Sequence, residues 1–144
     1  MNFLVNTNVF SEAIRSRPHP PVVAWLAERE AEIYVSALTL GEIRYGIDKM
    51  PRGTRREHLE SWLNRTFEIM EGRILSVNTS VANLWGQMRA GWAKAGITMP
   101  AVDGLIAATA KRHGLLIVTR NEKDFAGAGI RTLNPFRTSD APRT

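Results

Sequence analysis

The stretch PAVDGLIAATAKRHGLLIVTRNEKDF, residues 100–125, decides how this chain folds. Its first half has the apolar spacing of a helix that begins just after a proline. Its second half opens with GLLIVT, a short and strongly apolar run that is typical of a buried strand, and polar residues follow that run at once. A helix that leads directly into a buried strand indicates a parallel sheet with helices on its faces.

The rest of the chain repeats this alternation of short strands and helices. Apolar residues recur at helical spacing over residues 54–71 and 79–96, and four further runs are β-prone: NFLV, EIYVS, RILSV and the weaker IRTLN. The order predicts an α/β fold with a central, mostly parallel sheet of four to five strands. Right-handed crossover helices should cover both faces of that sheet.

Composition limits what kind of protein this is. The chain has 144 residues, a net charge of +5 and no cysteine, so thiolate nucleophiles and cysteine zinc sites are excluded. Its three histidines are too scattered to form a ligand cluster, so any metal must be held by oxygen.

We predict one domain over residues 1–136 and a flexible tail over 137–144. No apolar run could span a membrane and no secretory signal is present, which predicts a soluble, cytoplasmic protein.

Polar residues stand just after the predicted strands or at the start of the helices beside them. In an open parallel sheet, ligands bind beyond the carboxyl ends of the strands. Carboxylates gathered there repel one another and require a cation, and Mg²⁺ or Mn²⁺ suits oxygen ligands best. The residues at this predicted edge are Asn6, Asn8, Glu42, Asp103, Asn121 and Asp124.

Each of these residues also has a purely local interpretation. TLGE, residues 39–42, matches a capping box in which Glu42 would only return a hydrogen bond to Thr39. Asp103 lies three residues after Pro100, where the helix dipole favours any acid. The other polar residues could be helix caps or turn hydroxyls: Thr7, Asn8, Thr119, Asn121 and Asp124. Their joint placement at one predicted edge of the sheet favours a site.

Four segments of the chain together resemble a known family. FLVNTNVFSE, VSALTLGEIRYGI, the stretch over 100–125 and the closing LNPF are similar to the PIN domain, specifically to VapC-type and FitB-like toxins of type II toxin–antitoxin systems. The resemblance implies a three-layer α/β/α fold and an endoribonuclease site of clustered acids that uses Mg²⁺ or Mn²⁺. It also implies a homodimer, inhibited by a cognate antitoxin whose complex binds operator DNA.

Carried over position by position, the resemblance assigns the site. Glu42 and Asp103 match two of the family's acids, Asp124 matches the acid before the phenylalanine, and Asn121 stands where some relatives have aspartate. Relatives read Asp-Thr-Asn after the first strand, whereas this chain has Asn6 in the first position. The predicted catalytic and metal-binding set is Asn6, Glu42, Asp103 and Asp124, and the predicted supporting set is Thr7, Asn8, Thr119 and Asn121.

The amide at residue 6 bears on activity. Affinity for hard cations depends on ligand charge, so an amide in place of a carboxylate should weaken metal binding. The chain is therefore expected to be a weakened or inactive ribonuclease toxin, and the alternative is a catalytically silent PIN domain that acts by binding protein and DNA complexes. A phosphotransferase of the haloacid-dehalogenase type would need an aspartate nucleophile after the first strand, which NTN lacks.

Basic residues provide candidate contacts to RNA phosphates. The segment RYGIDKMPRGTRR, residues 44–56, is strongly basic, and a further arginine follows the fourth predicted strand. Such a run is also common on solvated helix ends, so both interpretations stay open. The predicted RNA-binding residues are Arg44, Lys49, Arg52 and Arg120.

Overall fold

The structure, a computed structural model, describes residues 1–137. Within that range five strands form one sheet in which every pairing is parallel, in the order β3-β2-β1-β4-β5. The strands are β1 (Phe3–Val5), β2 (Ile33–Ser36), β3 (Ile74–Leu75), β4 (Leu116–Val118) and β5 (Thr132–Leu133). The predicted parallel α/β fold is confirmed, including the weak fifth strand.

Seven α-helices connect these strands within residues 1–137 and flank the sheet. They are α1 (Thr7–Phe10), α2 (Pro20–Glu28), α3 (Ala37–Asp48), α4 (Thr54–Ile69), α5 (Thr79–Lys94), α6 (Ala101–His113) and α7 (Glu122–Gly127). The helices predicted over 54–71 and 79–96 are α4 and α5, each ending two residues earlier than predicted. None of the helices in residues 1–137 combines the length and apolar character needed to cross a membrane.

The alternation of side chains along β1 creates two separate cores. Phe3 and Val5 pack into a cluster with residues of α1 to α4, whereas Leu4 between them packs with residues of α5, α6 and α7. This follows from strand geometry, because successive side chains point to opposite faces of a sheet. The sheet is therefore the middle of three layers, as predicted.

The neighbouring strands β1 and β4 end level with each other. Val5 is in register with Val118, and the backbone N–H of Asn6 donates to the carbonyl of Val118 at 2.9 Å. The N–H of Thr119 in turn donates to the carbonyl of Leu133 on β5 at 3.0 Å. The first residues after β1 and β4 therefore lie side by side at the carboxyl edge of the sheet.

A close contact between α5 and α6 fixes where α6 begins. A Cβ atom added at Gly104 would lie 2.9 Å from Trp85 Nε1 and 3.3 Å from Trp92 Cζ3, so only glycine fits without a shift. Because α6 leads back into β4, its first turn lies at the carboxyl end of the sheet. Gly104 thus places the adjacent Asp103 at that end.

The predicted tail, 137–144, lies outside the described residues except for Arg137.

Candidate active site

Asn6 forms the buried corner of the site at the end of β1. Only 6% of the residue is exposed. Its Oδ1 accepts from the backbone N–H of Thr7 at 2.9 Å, and its Nδ2 donates to Thr119 Oγ1 at 3.2 Å. Asn6 is therefore the cap of α1, and the interpretation of Asn8 as a helix cap is wrong because α1 already begins at Thr7.

Thr119 joins the loops after β1 and β4. Its hydroxyl oxygen is fully buried and accepts from Asn6 Nδ2, from Asn8 Nδ2 at 3.3 Å and from the backbone N–H of Asn121 at 3.1 Å. Asn8 Oδ1 also accepts from the backbone N–H of Arg120 at 3.1 Å. The hydrogen bonds of Thr119 thus hold three of the predicted polar residues around one buried atom.

Glu42 faces the loop after β1 and not its own helix. Thr7 Oγ1 donates to Glu42 Oε1 at 2.6 Å. The capping-box interpretation is wrong, because β2 runs straight into α3 and Ser36 is the cap, accepting from the N–H of Leu38 at 3.1 Å. Thr39 lies inside the helix, and its buried hydroxyl has no hydrogen-bond partner among residues 1–137.

Asp103 carries the electrostatic signature of the site. It lies in the first turn of α6, half-buried, and its pKa is raised above the ordinary value of 3.8 by burial, by the charge of Asp124 and by the charge of Glu42, in that order. A helix N-terminus acting alone would favour the ionised carboxylate and lower the pKa. The raised pKa of Asp103 therefore has its causes in burial and in neighbouring acids, not in its place in the first turn.

The three carboxylates lie on three different elements, and the charges of Glu42 and Asp124 act on Asp103. Glu42 is on α3, Asp103 on α6 and Asp124 on α7, and the last two are close enough for their repulsion to shift a pKa. Glu42 and Asp124 are exposed, so the region among the three carboxylates, the acidic cleft, is open to solvent. Across the described part of the chain, no three His, Cys, Asp or Glu side chains are grouped closely enough to hold a metal ion.

The residues present fit a hard cation in chemistry, although the set of charged ligands is incomplete. Repulsion on Asp103 is what a bound cation would relieve, and all the donors are oxygens. At residue 6, the contacts of the side chain are an N–H of Thr7 and a hydroxyl of Thr119. Both groups can donate to a carboxylate, and for Thr119 this means turning its single hydroxyl proton away from Asn8 Oδ1, which accepts it at 3.5 Å.

The predicted basic residues do not act as a group. Arg44 Nη1 pairs with Asp48 at 3.5 Å, and Lys49 Nζ lies 4.9 Å from the centre of the Tyr45 ring. Lys49 follows the end of α3, about two helical turns beyond Glu42, and Arg52 lies further along the chain. Arg120 alone of the four lies in the loop after β4, next to Thr119.

A second set of contacts, missed in the sequence, ties the loop after β5 to α7. Glu122 Oε2 accepts from Asn134 Nδ2 at 2.9 Å and pairs with Arg137 Nε at 2.7 Å. Asn134 Oδ1 accepts from the N–H of Phe136 at 2.9 Å. The motif LNPF contributed to the resemblance as a pattern, but its letters do not show that the asparagine and phenylalanine lie beside the acidic cleft.

Comparison with known proteins places the chain in a family. The family model for the PIN domain matches residues 3–130. The chain belongs to the PIN-domain family. Toxin FitB of Neisseria gonorrhoeae is 37% identical over 135 residues, which cover 92% of this chain and 97% of FitB. VapC ribonuclease Y4jK of Sinorhizobium fredii is 33% identical over 135 residues, which cover 92% of this chain and 96% of that protein.

A solved structure agrees with the fold of this PIN domain. The structure of FitAB bound to an IR36 DNA fragment contains a chain that superposes with a TM-score of 0.88 at 34% identity, covering 95% of this chain and 97% of that one. The resemblance to the PIN domain and to FitB and VapC toxins is thus confirmed. The catalytic roles of individual residues stay predictions.

Proposed function

We propose that this PIN domain, residues 1–136, is the toxin of a type II toxin–antitoxin system and a metal-dependent endoribonuclease that Asn6 weakens. The observation that supports the proposal is an electrostatic interaction among acids from three elements: burial and the charges of Asp124 and Glu42 raise the pKa of Asp103. Two relatives support it, since one is named a toxin and another a VapC ribonuclease.

In this proposal the side chains of the cleft have distinct roles. Asp103 and residue 6 bind the metal most directly, and Glu42 and Asp124 complete the site directly or through water. Thr7 orients Glu42 through its 2.6 Å hydrogen bond, and the contacts of Thr119 hold residue 6 in place. When bound, Mg²⁺ or Mn²⁺ would neutralise the scissile phosphate and lower the pKa of a water that attacks it.

The amide of Asn6 lowers the expected activity in this proposal. Its oxygen already accepts from the N–H of Thr7, and it brings no negative charge. A full charge at ligand distance binds Mg²⁺ far more strongly than a neutral carbonyl oxygen does. The other proposed ligands keep their carboxylates, so restoring the carboxylate at residue 6 should recover much of the activity.

Cleavage of a mixed RNA pool by three proteins tests the proposal: the chain as given, Asn6→Asp, and Asn6→Asp combined with Asp103→Ala. Asn6→Asp should cleave fastest and arrest growth in cells, and the double variant should do neither. Activity should require Mg²⁺ or Mn²⁺ and disappear with chelator. If Asn6→Asp cleaves no faster than the parent, residue 6 is not the missing ligand and the chain acts as a silent binding module.

The proposed partners are a cognate antitoxin, a second copy of the toxin, and operator DNA bound through the antitoxin, all in the cytoplasm. Support comes from the FitAB complex, which was solved bound to DNA. The open acidic cleft also suits an inserted arginine or lysine of the antitoxin, which would take the place of the cation.

Co-purification tests the partner proposal. The small protein encoded next to this chain should be retained by it in a pull-down at moderate salt. The complex should lose RNA cleavage when formed with the Asn6→Asp variant. No binding to that neighbour would exclude the toxin–antitoxin pairing while leaving the nuclease proposal to its own test.

A further inference from the structure

Phe136 lies at the carboxyl edge of the sheet with its backbone fixed on both sides. Asn134 Oδ1 accepts from the N–H of Phe136, and the next residue, Arg137, pairs with Glu122. The Phe136 ring also lies 5.4 Å from the ring of His19, at an angle of 36°. The backbone N–H of His19 donates to the buried Glu12 at 2.7 Å, so this neighbour is anchored too.

The guanidinium of Arg120 lies over the ring of Phe136. The guanidinium carbon lies 4.6 Å from the ring centre, and the backbone of Arg120 is held by Asn8 Oδ1. Ring stacking covers one face of the guanidinium and leaves its N–H edge available for hydrogen bonds. Arg120 forms no ion pair with any acid in residues 1–137. It nevertheless lines a surface cavity together with an acid, Asp124.

That cavity adjoins the proposed metal site. Its volume is about 380 Å³, and its lining includes Arg120, Lys123 and Asp124. A polyanionic RNA that approaches three carboxylates is repelled by them, so a cation held beside the cleft offsets the repulsion where the substrate must bind. Arg120 meets that need, because no acid among the described residues pairs with its charge and because a ring sets its position.

We propose that Phe136 is a positioning residue that holds Arg120 at the mouth of the acidic cleft, where the guanidinium binds an RNA phosphate next to the scissile one. This inference rests on the proposed function, because it names how the same site binds its substrate. Phe136 itself need not touch RNA. Its contribution passes through Arg120, which distinguishes it from a residue that only packs.

Binding of a labelled single-stranded RNA, measured by fluorescence anisotropy with chelator present, tests the inference on the intact chain. Arg120→Gln should lower the slope of log Kd against log salt by about 0.7, the value for one phosphate contact to a single strand. Lys111→Gln is the matched control, because it also removes one exposed positive charge but at the opposite end of the sheet. It should leave the slope near that of the parent.

The role of Phe136 is tested by a double-mutant cycle. Phe136→Leu should weaken binding by about 2- to 5-fold, the affinity equivalent of an exposed cation–π contact, and Phe136→Tyr should keep parental binding. In the Arg120→Gln background Phe136→Leu should have no further effect. Thermal unfolding of each variant verifies that the chain is folded, and Phe136→Tyr serves as the test of the ring should Phe136→Leu fail to fold.

Three results would overturn the inference: an unchanged salt slope for Arg120→Gln, an equal loss for Phe136→Leu in both backgrounds, or loss of binding in Phe136→Tyr. Because chelator prevents cleavage, these outcomes are independent of catalysis. An active Asn6→Asp variant whose RNA binding ignores Arg120 leaves the nuclease proposal standing and removes this one. An inactive Asn6→Asp variant that binds RNA through Arg120 leaves the role of Phe136 and Arg120 standing and removes the nuclease proposal.

Discussion

The two ends of the sheet differ in what their side chains do. At the amino end, a cavity of about 620 Å³ is lined mainly by apolar residues such as Leu115, Leu116 and Ile130. At the carboxyl end, polar residues surround the buried hydroxyl of Thr119, and the pKa of Asp103 is raised by burial and by other acids. The comparison shows that the carboxyl end holds groups in an arrangement that does not favour their charged state.

Such an arrangement is expected where the side chains serve ligand binding and not the stability of the fold. Natural proteins retain unfavourable electrostatics mainly at functional sites, where a ligand relieves them. Substitutions matched between the two ends of the sheet therefore separate effects on function from effects on stability.

The largest expected effect is on catalysis. In the Asn6→Asp chain, Asp103→Asn should slow RNA cleavage by about 10²–10³-fold, the scale on which losing one preorganised charged group slows an enzyme. Glu32→Gln is the control at the amino end, where Glu32 lies 3.8 Å from the N-terminal amine. Initial rates at saturating Mg²⁺ measure both. Equal rates for the two variants would remove Asp103 from the site.

The next effect concerns two buried threonines. Thr119→Val removes the acceptor of Asn6 and Asn8 and should destabilise the fold by about 1–3 kcal/mol. Thr132→Val, at the start of β5, should be neutral or stabilising, since the buried hydroxyl of Thr132 has no partner within residues 1–137. Urea unfolding gives both free energies. Similar losses for the two variants would contradict a special role for Thr119.

Two helix glycines should respond with opposite signs. Gly104→Ala pushes a methyl group against Trp85 and should destabilise the chain by about 1 kcal/mol, with a loss of cleavage in the Asn6→Asp background because α6 shifts next to Asp103. Gly91→Ala has no atom within 4 Å of the new Cβ and should stabilise α5 by about 0.5–1 kcal/mol. Thermal unfolding distinguishes them, and a stabilising Gly104→Ala would show that the contact between α5 and α6 is loose.

The smallest effect is on the pH dependence of stability. A carboxyl group whose pKa is higher in the folded chain than in the unfolded one favours folding most when it is protonated. The contribution of Asp103 to stability is therefore greatest below the ordinary pKa of 3.8 and falls as pH rises through the raised pKa of folded Asp103. Asp103→Asn should stabilise the chain at pH 7, and the gain should vanish as the pH falls below about 4.

Urea midpoints measured between acid and neutral pH verify this sign. Mg²⁺ should reduce the stabilisation that Asp103→Asn gives at neutral pH, because a cation relieves the same repulsion that the substitution removes. Glu32→Gln should give no stabilisation at pH 7, because it removes an attraction to the N-terminal amine. A gain for Asp103→Asn that persists in acid would mean that packing, and not charge, is the cause.

Much of the fold and part of the site follow from local patterns in the sequence. Alternating strands and helices were enough to predict a parallel sheet, because short apolar strands need helices to cover both faces. The polar residues after the strands were predicted to share one edge, and the structure brings Asn6, Thr7, Asn8, Glu42 and Thr119 into contact there. Local patterns failed where two explanations share the same spacing, as in the capping box of Thr39 and Glu42.

Local sequence patterns predict the order of elements, the parallel sheet and the residue types at its carboxyl edge, because periodicity and turn chemistry act over a few residues. Tertiary packing decides that Glu42 bonds to Thr7 instead of Thr39, that the charges of Asp124 and Glu42 act on Asp103, and that the Phe136 ring lies against Arg120. Those contacts join segments far apart in the chain, and their geometry depends on packing, which no short pattern encodes.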